Sequence, residues 1–150
     1  MLRRKFLSLG AVAAVATLLP SNVSATDFRE TKPATWEASN SQEAIKALFG
    51  DISPIEGKIK MKAPKMAEDG GAVPISLKSK VKVSTVAVFQ DANPRSAVVV
   101  FELGKSGVFD IKTKIKMKKS ANITVIAKGM DGKFYSSIQR VDVNPGGCGA

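Results

Sequence analysis

The stretch Asp110-Ile111-Lys112-Thr113-Lys114-Ile115-Lys116-Met117-Lys118 decides the fold. Ile111, Thr113, Ile115 and Met117 alternate with four lysines. Successive side chains of a strand point to opposite faces, so this order puts every one of those lysines on one face. A helix would scatter them around its circumference. The segment therefore predicts a strand in a sheet with one wet side, as antiparallel sheets commonly have. Lys58-Ile59-Lys60-Met61-Lys62 repeats the alternation.

Outward from this segment, further strands are expected over residues 73–81, 85–89, 97–103, 123–127 and 134–143. Turn signals separate them: Asp69-Gly70-Gly71, Asn93-Pro94, Gly104 to Gly107 and Asp131-Gly132. About seven short strands at this spacing predict an all-β antiparallel β-sandwich, with a barrel as the runner-up. The apolar run Val98 to Phe101 predicts a central strand. Together with Val86 to Phe89 it leaves more apolar surface than a small monomer with one solvated sheet needs, which points to a partner chain. One short N-terminal helix is expected over about 41–49. Asn40 can cap it with Glu43 three residues on, Ile45, Leu48 and Phe49 share a face, and Gly50 stops it. Residues 26–38 read as an irregular lead-in.

The two ends of the chain have a different character. Residues 1–25 read as an export signal. Arg3, Arg4 and Lys5 precede an uncharged apolar stretch, and Val23-Ser24-Ala25 offers a small-residue cleavage site. Arg3-Arg4-Lys5-Phe6-Leu7 resembles the twin-arginine motif of exported folded proteins, with an ordinary secretory signal as the alternative. The apolar stretch is short for a membrane span, so the reading is a periplasmic protein without a membrane anchor. The net charge of +10 falls to +7 when the three signal cations are removed. Such a balance means solvated lysine faces or attraction of anions, either a small oxyanion or an acidic partner. Nucleic acid is not expected as a partner, because few aromatics interleave the lysines.

The chain has one cysteine and no histidine. No internal disulfide can form, and His-dependent nucleophiles and His-ligated metals are excluded. The lone thiol, Cys148, lies in Gly146-Gly147-Cys148-Gly149-Ala150, beyond the last expected strand. Residues 144–150 are expected to be a mobile arm after the domain at 26–143. Extended, these seven residues reach roughly 20 Å at about 3.3 Å each. An incidental thiol at a frayed terminus is the plain alternative, but an exposed thiol in an oxidising compartment is a liability unless used.

This ending resembles that of the SoxY family of the bacterial Sox thiosulfate-oxidising system. Ala47-Leu48-Phe49-Gly50, Glu56-Gly57-Lys58-Ile59, Lys62-Ala63-Pro64-Lys65-Met66-Ala67-Glu68-Asp69-Gly70, Val73-Pro74-Ile75, Asn93-Pro94 and Asp131-Gly132-Lys133-Phe134 also resemble family segments, over about residues 40–150. The resemblance implies an immunoglobulin-like sandwich paired with SoxZ in a heterodimer. It implies that Cys148 carries the sulfur intermediate covalently, on a flexible arm made by Gly146, Gly147 and Gly149. SoxAX would join thiosulfate to the thiol as Cys-S-S-SO₃⁻, SoxB would release sulfate, and in some organisms a sulfane dehydrogenase would oxidise the remaining persulfide. No catalytic or metal-binding residue and no cofactor is then expected in this chain, which is a carrier subunit and not an enzyme. The family motif often ends in Gly-Gly, where this chain has Gly149-Ala150.

Two other functions compete with the carrier. A thiol reductase or peroxidase would need a resolving cysteine or an activating histidine, and the chain has neither. A structural exported sandwich using Cys148 for an intermolecular disulfide would separate from the carrier on a non-reducing gel.

Overall fold

The structure, a computed structural model, describes residues 25–145. Nearly all of the export-signal segment, and the arm residues Gly146, Gly147, Cys148 and Gly149, lie outside the described residues.

Among the described residues three helices precede the strands: α1 (Phe28–Thr31), α2 (Pro33–Glu37) and α3 (Ser41–Phe49). The nine strands among the described residues are β1 (Ile55–Glu56), β2 (Lys60–Lys62), β3 (Met66–Ala67), β4 (Val73–Lys78), β5 (Val83–Gln90), β6 (Ala97–Glu102), β7 (Asp110–Ile115), β8 (Ala121–Gly129) and β9 (Phe134–Val143). The larger sheet runs β1-β9-β8-β5-β6, with β3 added to the end of β9, and the smaller runs β2-β4-β7. The sheets close on each other as a sandwich. Val73, Ile75, Leu77 and Ile115 from the small sheet meet Val86, Val88, Ile123, Val125 and Val141 from the large one.

A second, smaller core lies on the far side of the large sheet. There Ala44 and Leu48 of α3 cover Ala87, Phe89 and Ile126. The order of layers is helix, large sheet, small sheet. This arrangement explains the continuous apolar runs of β5 and β8. Val86 and Val88 face one core while Ala87 and Phe89 face the other, and all four are fully buried. The run Val86 to Phe89 is thus covered within the chain and needs no partner. Helix α3 is fixed as its sequence predicts: Asn40 Oδ1 accepts the Glu43 amide at 2.9 Å, and Gly50 ends it at φ +80°. Its buried face centres on Ala44 and Leu48, with Ile45 and Phe49 at the flanks.

Four expectations are corrected. The run Val98 to Phe101 is not central: β6 is an edge strand, paired only with β5 and half-buried along its length. Its apolar continuity reflects partial contact with both cores, Val98, Val99 and Phe101 on one and Val100 on the other. The large sheet is not wholly antiparallel, since β1 and β3 pair with β9 in parallel. The 26–38 lead-in holds two helical segments. Asp27 caps α1 by accepting the Arg29 amide at 2.8 Å, and Trp36 Nε1 donates to Phe28 O at 3.0 Å. Helices of four and five residues are too short for periodicity to show. Finally, β7 stops at Ile115 because its neighbour β4 begins opposite it, at Val73. The chain is held beyond that point by Met117 N donating to Gly70 O at 2.7 Å.

Phe89 is fully buried in the smaller core whereas Ile138 is 56% exposed. Phe89→Ala is expected to cost about 3–5 kcal/mol and Ile138→Ala under about 0.5 kcal/mol. Chemical denaturation measures both. A Phe89→Ala loss no larger than that of Ile138→Ala would show that the helix layer is not packed as described.

Candidate functional site

The described residues end two positions beyond β9, so the structure shows how the last strand is held before residues 146–150. Strand β9 enters from a tight hairpin. Gly132 takes φ +79° there, a left-handed conformation that favours glycine. Asp131 accepts the Tyr135 hydroxyl at 2.6 Å and the Lys133 amide at 3.0 Å. The Tyr135 bond is the larger reason that the Asp131 carboxyl is held below its ordinary 3.8, and it raises Tyr135 above its ordinary 10.0. The hairpin sets the register of β8 on β9 along the whole strand.

At the far end three hydrogen bonds hold the chain before it leaves the sheet. Asp142 N donates to Lys65 O at 2.9 Å, and Asn144 N donates to Ala67 O at 3.0 Å. Val143 N donates to Ser120 Oγ at 2.9 Å. Val141 and Val143 are buried in the sandwich core. Gln139 Nε2 reaches Ala63 O at 2.8 Å, so segment 63–67 runs beside residues 139–144. Ser120, Gln139 and the two-residue strand β3 carry no sequence signal for this work, since each bonds to backbone groups of a segment that only the fold brings near.

The second feature is a lysine face. Across β2, β4 and β7 the register aligns Lys60 with Lys78 and Asp110, Lys62 with Ser76 and Lys112, and Pro74 with Lys114. All five of these lysines are exposed. The single acidic residue of this face, Asp110, pairs with Lys78 at 2.9 Å. The alternation read along each strand thus becomes one basic surface, which only the register between strands can establish. The inward residues Met61, Leu77 and Ile111 turn to the sandwich core. No group of side chains able to hold a metal occurs among the described residues, and no helix among them is long and apolar enough to cross a membrane.

Two packed sheets and a helix layer define an immunoglobulin-like sandwich, whose last strand ends five residues before Cys148 in the sequence. The family model described as "Sulfur oxidation protein SoxY" matches residues 45–148. The chain belongs to the SoxY family of sulfur oxidation proteins. The solved structure of the sulfur carrier protein SoxY from Chlorobium limicola f thiosulfatophilum is 28% identical, covers 71% of this chain and 97% of its own, and superposes with a TM-score of 0.61. A superoxide reductase (neelaredoxin) from Ignicoccus hospitalis, 11% identical, covers 59% of this chain and 81% of its own with a TM-score of 0.53. At that identity the likeness concerns the fold alone. No curated protein matches the chain.

The rooting bonds predict slow hydrogen exchange at the amides of Asp142, Val143 and Asn144. Ser120→Ala should speed exchange at Val143 and leave Val125, in the middle of β8, unchanged. Fast exchange at all three amides in the unaltered protein would show that the arm begins further back, inside β9.

Proposed function

We propose that this chain is a periplasmic carrier that binds thiosulfate-derived sulfur covalently on Cys148 and presents it to other Sox enzymes. The observation that carries the reading is the combination of SoxY family membership through residue 148 with a single cysteine at that position. A thiol is the only side chain in this sequence able to form reversible S–S bonds with sulfane sulfur, and its thiolate is the reactive form. With no histidine anywhere in the chain, the base and the oxidant come from partners. In this reading SoxAX forms Cys-S-S-SO₃⁻, SoxB hydrolyses off sulfate, and a sulfane dehydrogenase, where present, oxidises the persulfide. The signal at residues 1–25 directs export, and Gly146, Gly147 and Gly149 let the thiol enter narrow active sites. Fixing the root at Asn144 while a short glycine-rich segment follows supports this division between rigid domain and arm.

Cys148→Ser is expected to abolish thiosulfate-dependent turnover in a reconstituted system and to leave the unfolding transition unchanged, because the substitution lies beyond the last strand. Wild-type turnover by this variant would remove the carrier reading.

The partner in this reading is SoxZ. Edge strand β6 supports it, because Val98 to Phe101 are half-buried and the strand's outer edge has no pairing strand among the described residues. Expressed alone, the protein is expected to self-associate, and SoxZ should convert it to a soluble one-to-one heterodimer. Light scattering under reducing conditions checks this. A stable monomer that ignores SoxZ would overturn the partner and leave the Cys148 reading standing.

A further inference from the structure

The lysine face carries two depressions, and they differ. One lies between Lys58, Lys60, Lys78 and Lys80 and includes Asp110, whose carboxylate neutralises Lys78. The other is bounded by Lys62, Lys112 and Lys114, with Pro64, Pro74 and Ser76 among its walls. It has no acidic lining residue. Three lysines beside apolar walls, with no carboxylate among them, suit a compact monoanion whose charge is spread over several oxygens, such as a sulfonate.

This second depression also adjoins the root of the arm. Pro64 immediately precedes Lys65, whose carbonyl holds the Asp142 amide, and Asn144 is bonded to Ala67. Pro64 lies three residues from Ala67, which is at most about 11 Å along the chain. Cys148 follows Asn144 by four residues, a reach of about 13 Å. The arm is therefore long enough to fold back to this depression. The first depression includes Gly57 and Val108, which belong to other segments of the chain, and has no residue from 62–67.

We propose that the Lys62–Lys112–Lys114 depression is an oxyanion subsite that holds the sulfonate end of the chain's own loaded arm between visits to partner enzymes. The proposal rests on the carrier reading for the identity of the anion. A short tether supplies an effective concentration in the millimolar range, so even weak exposed charge contacts populate a docked state. Such contacts are screened by salt, so docking is expected to weaken as ionic strength rises. A partner enzyme's active site then competes for the arm, and the unloaded thiol has no sulfonate to hold it.

The test compares amide chemical shifts in two forms of the chain, with its partner subunit bound if solubility requires it. In one, tetrathionate has loaded the thiol. The Cys148 thiolate attacks a sulfane sulfur, forming Cys-S-S-SO₃⁻ and releasing thiosulfate as the S–S bond breaks. In the other, iodoacetamide has capped Cys148 with a neutral group. With both modifications verified by intact mass, the loaded form should show shifts at Ala63, Ser76, Thr113 and Lys114 that the capped form lacks. These should vanish at high salt and in Lys112→Gln/Lys114→Gln. Equal shifts in both forms, shifts centred on Lys58 and Lys80, or none would overturn the subsite and leave the lysine face to an acidic partner. Each of those results would leave the Cys148→Ser test of the carrier reading untouched.

Discussion

Burial of both faces of the β5–β8 pair is the constraint on which the rest of the molecule depends. Val86, Val88, Ile123 and Val125 close the sandwich on one side, while Ala87, Phe89 and Ile126 receive helix α3 on the other. A strand pair covered on both faces cannot slip by one residue without exchanging its two apolar sets between cores of different shape. That fixes β8, and through β8 the register of β9. Strand β9 ends at Val143, and Asn144 just beyond it is the last residue held by Ala67. The position at which β9 ends therefore follows from packing in a core some distance away.

The small sheet answers a different requirement. It needs only one apolar face, so its other face is free to collect charge. Lys60, Lys62, Lys78, Lys112 and Lys114 share it, and Asp110 offsets one of them. Segment 63–67 links this sheet to the arm's root, because it leaves β2 and then runs beside the end of β9. The basic face and the end of β9 are thus neighbours by construction. In the proposed function the cargo is anionic, which suits a basic face at that place on a chain of strongly positive net charge.

Much of this was legible in the sequence where a local rule had a single solution. The lysine alternation in 110–118 specified a one-sided strand, and Asn40 with Gly50 bounded α3. Other features depend on partners distant in the chain. Val98 to Phe101 read as central because a half-covered edge strand and a buried one have the same apolar run. Strand β3, two residues long, has no periodicity to detect. The shared lysine face needed the register between β2, β4 and β7. Cys148 stood out by the opposite route, as the chain's one thiol, in a glycine-rich stretch beyond the last expected strand.

The central claim is that Cys148 bears sulfur during the protein's work. Intact-mass and peptide mass spectrometry of the protein taken from its native periplasm during thiosulfate oxidation tests it most directly. The account predicts that the peptide containing Cys148 carries thiosulfonate or persulfide increments that reductant removes. A population consisting only of free thiol and Cys148–Cys148 disulfide under those conditions would contradict it.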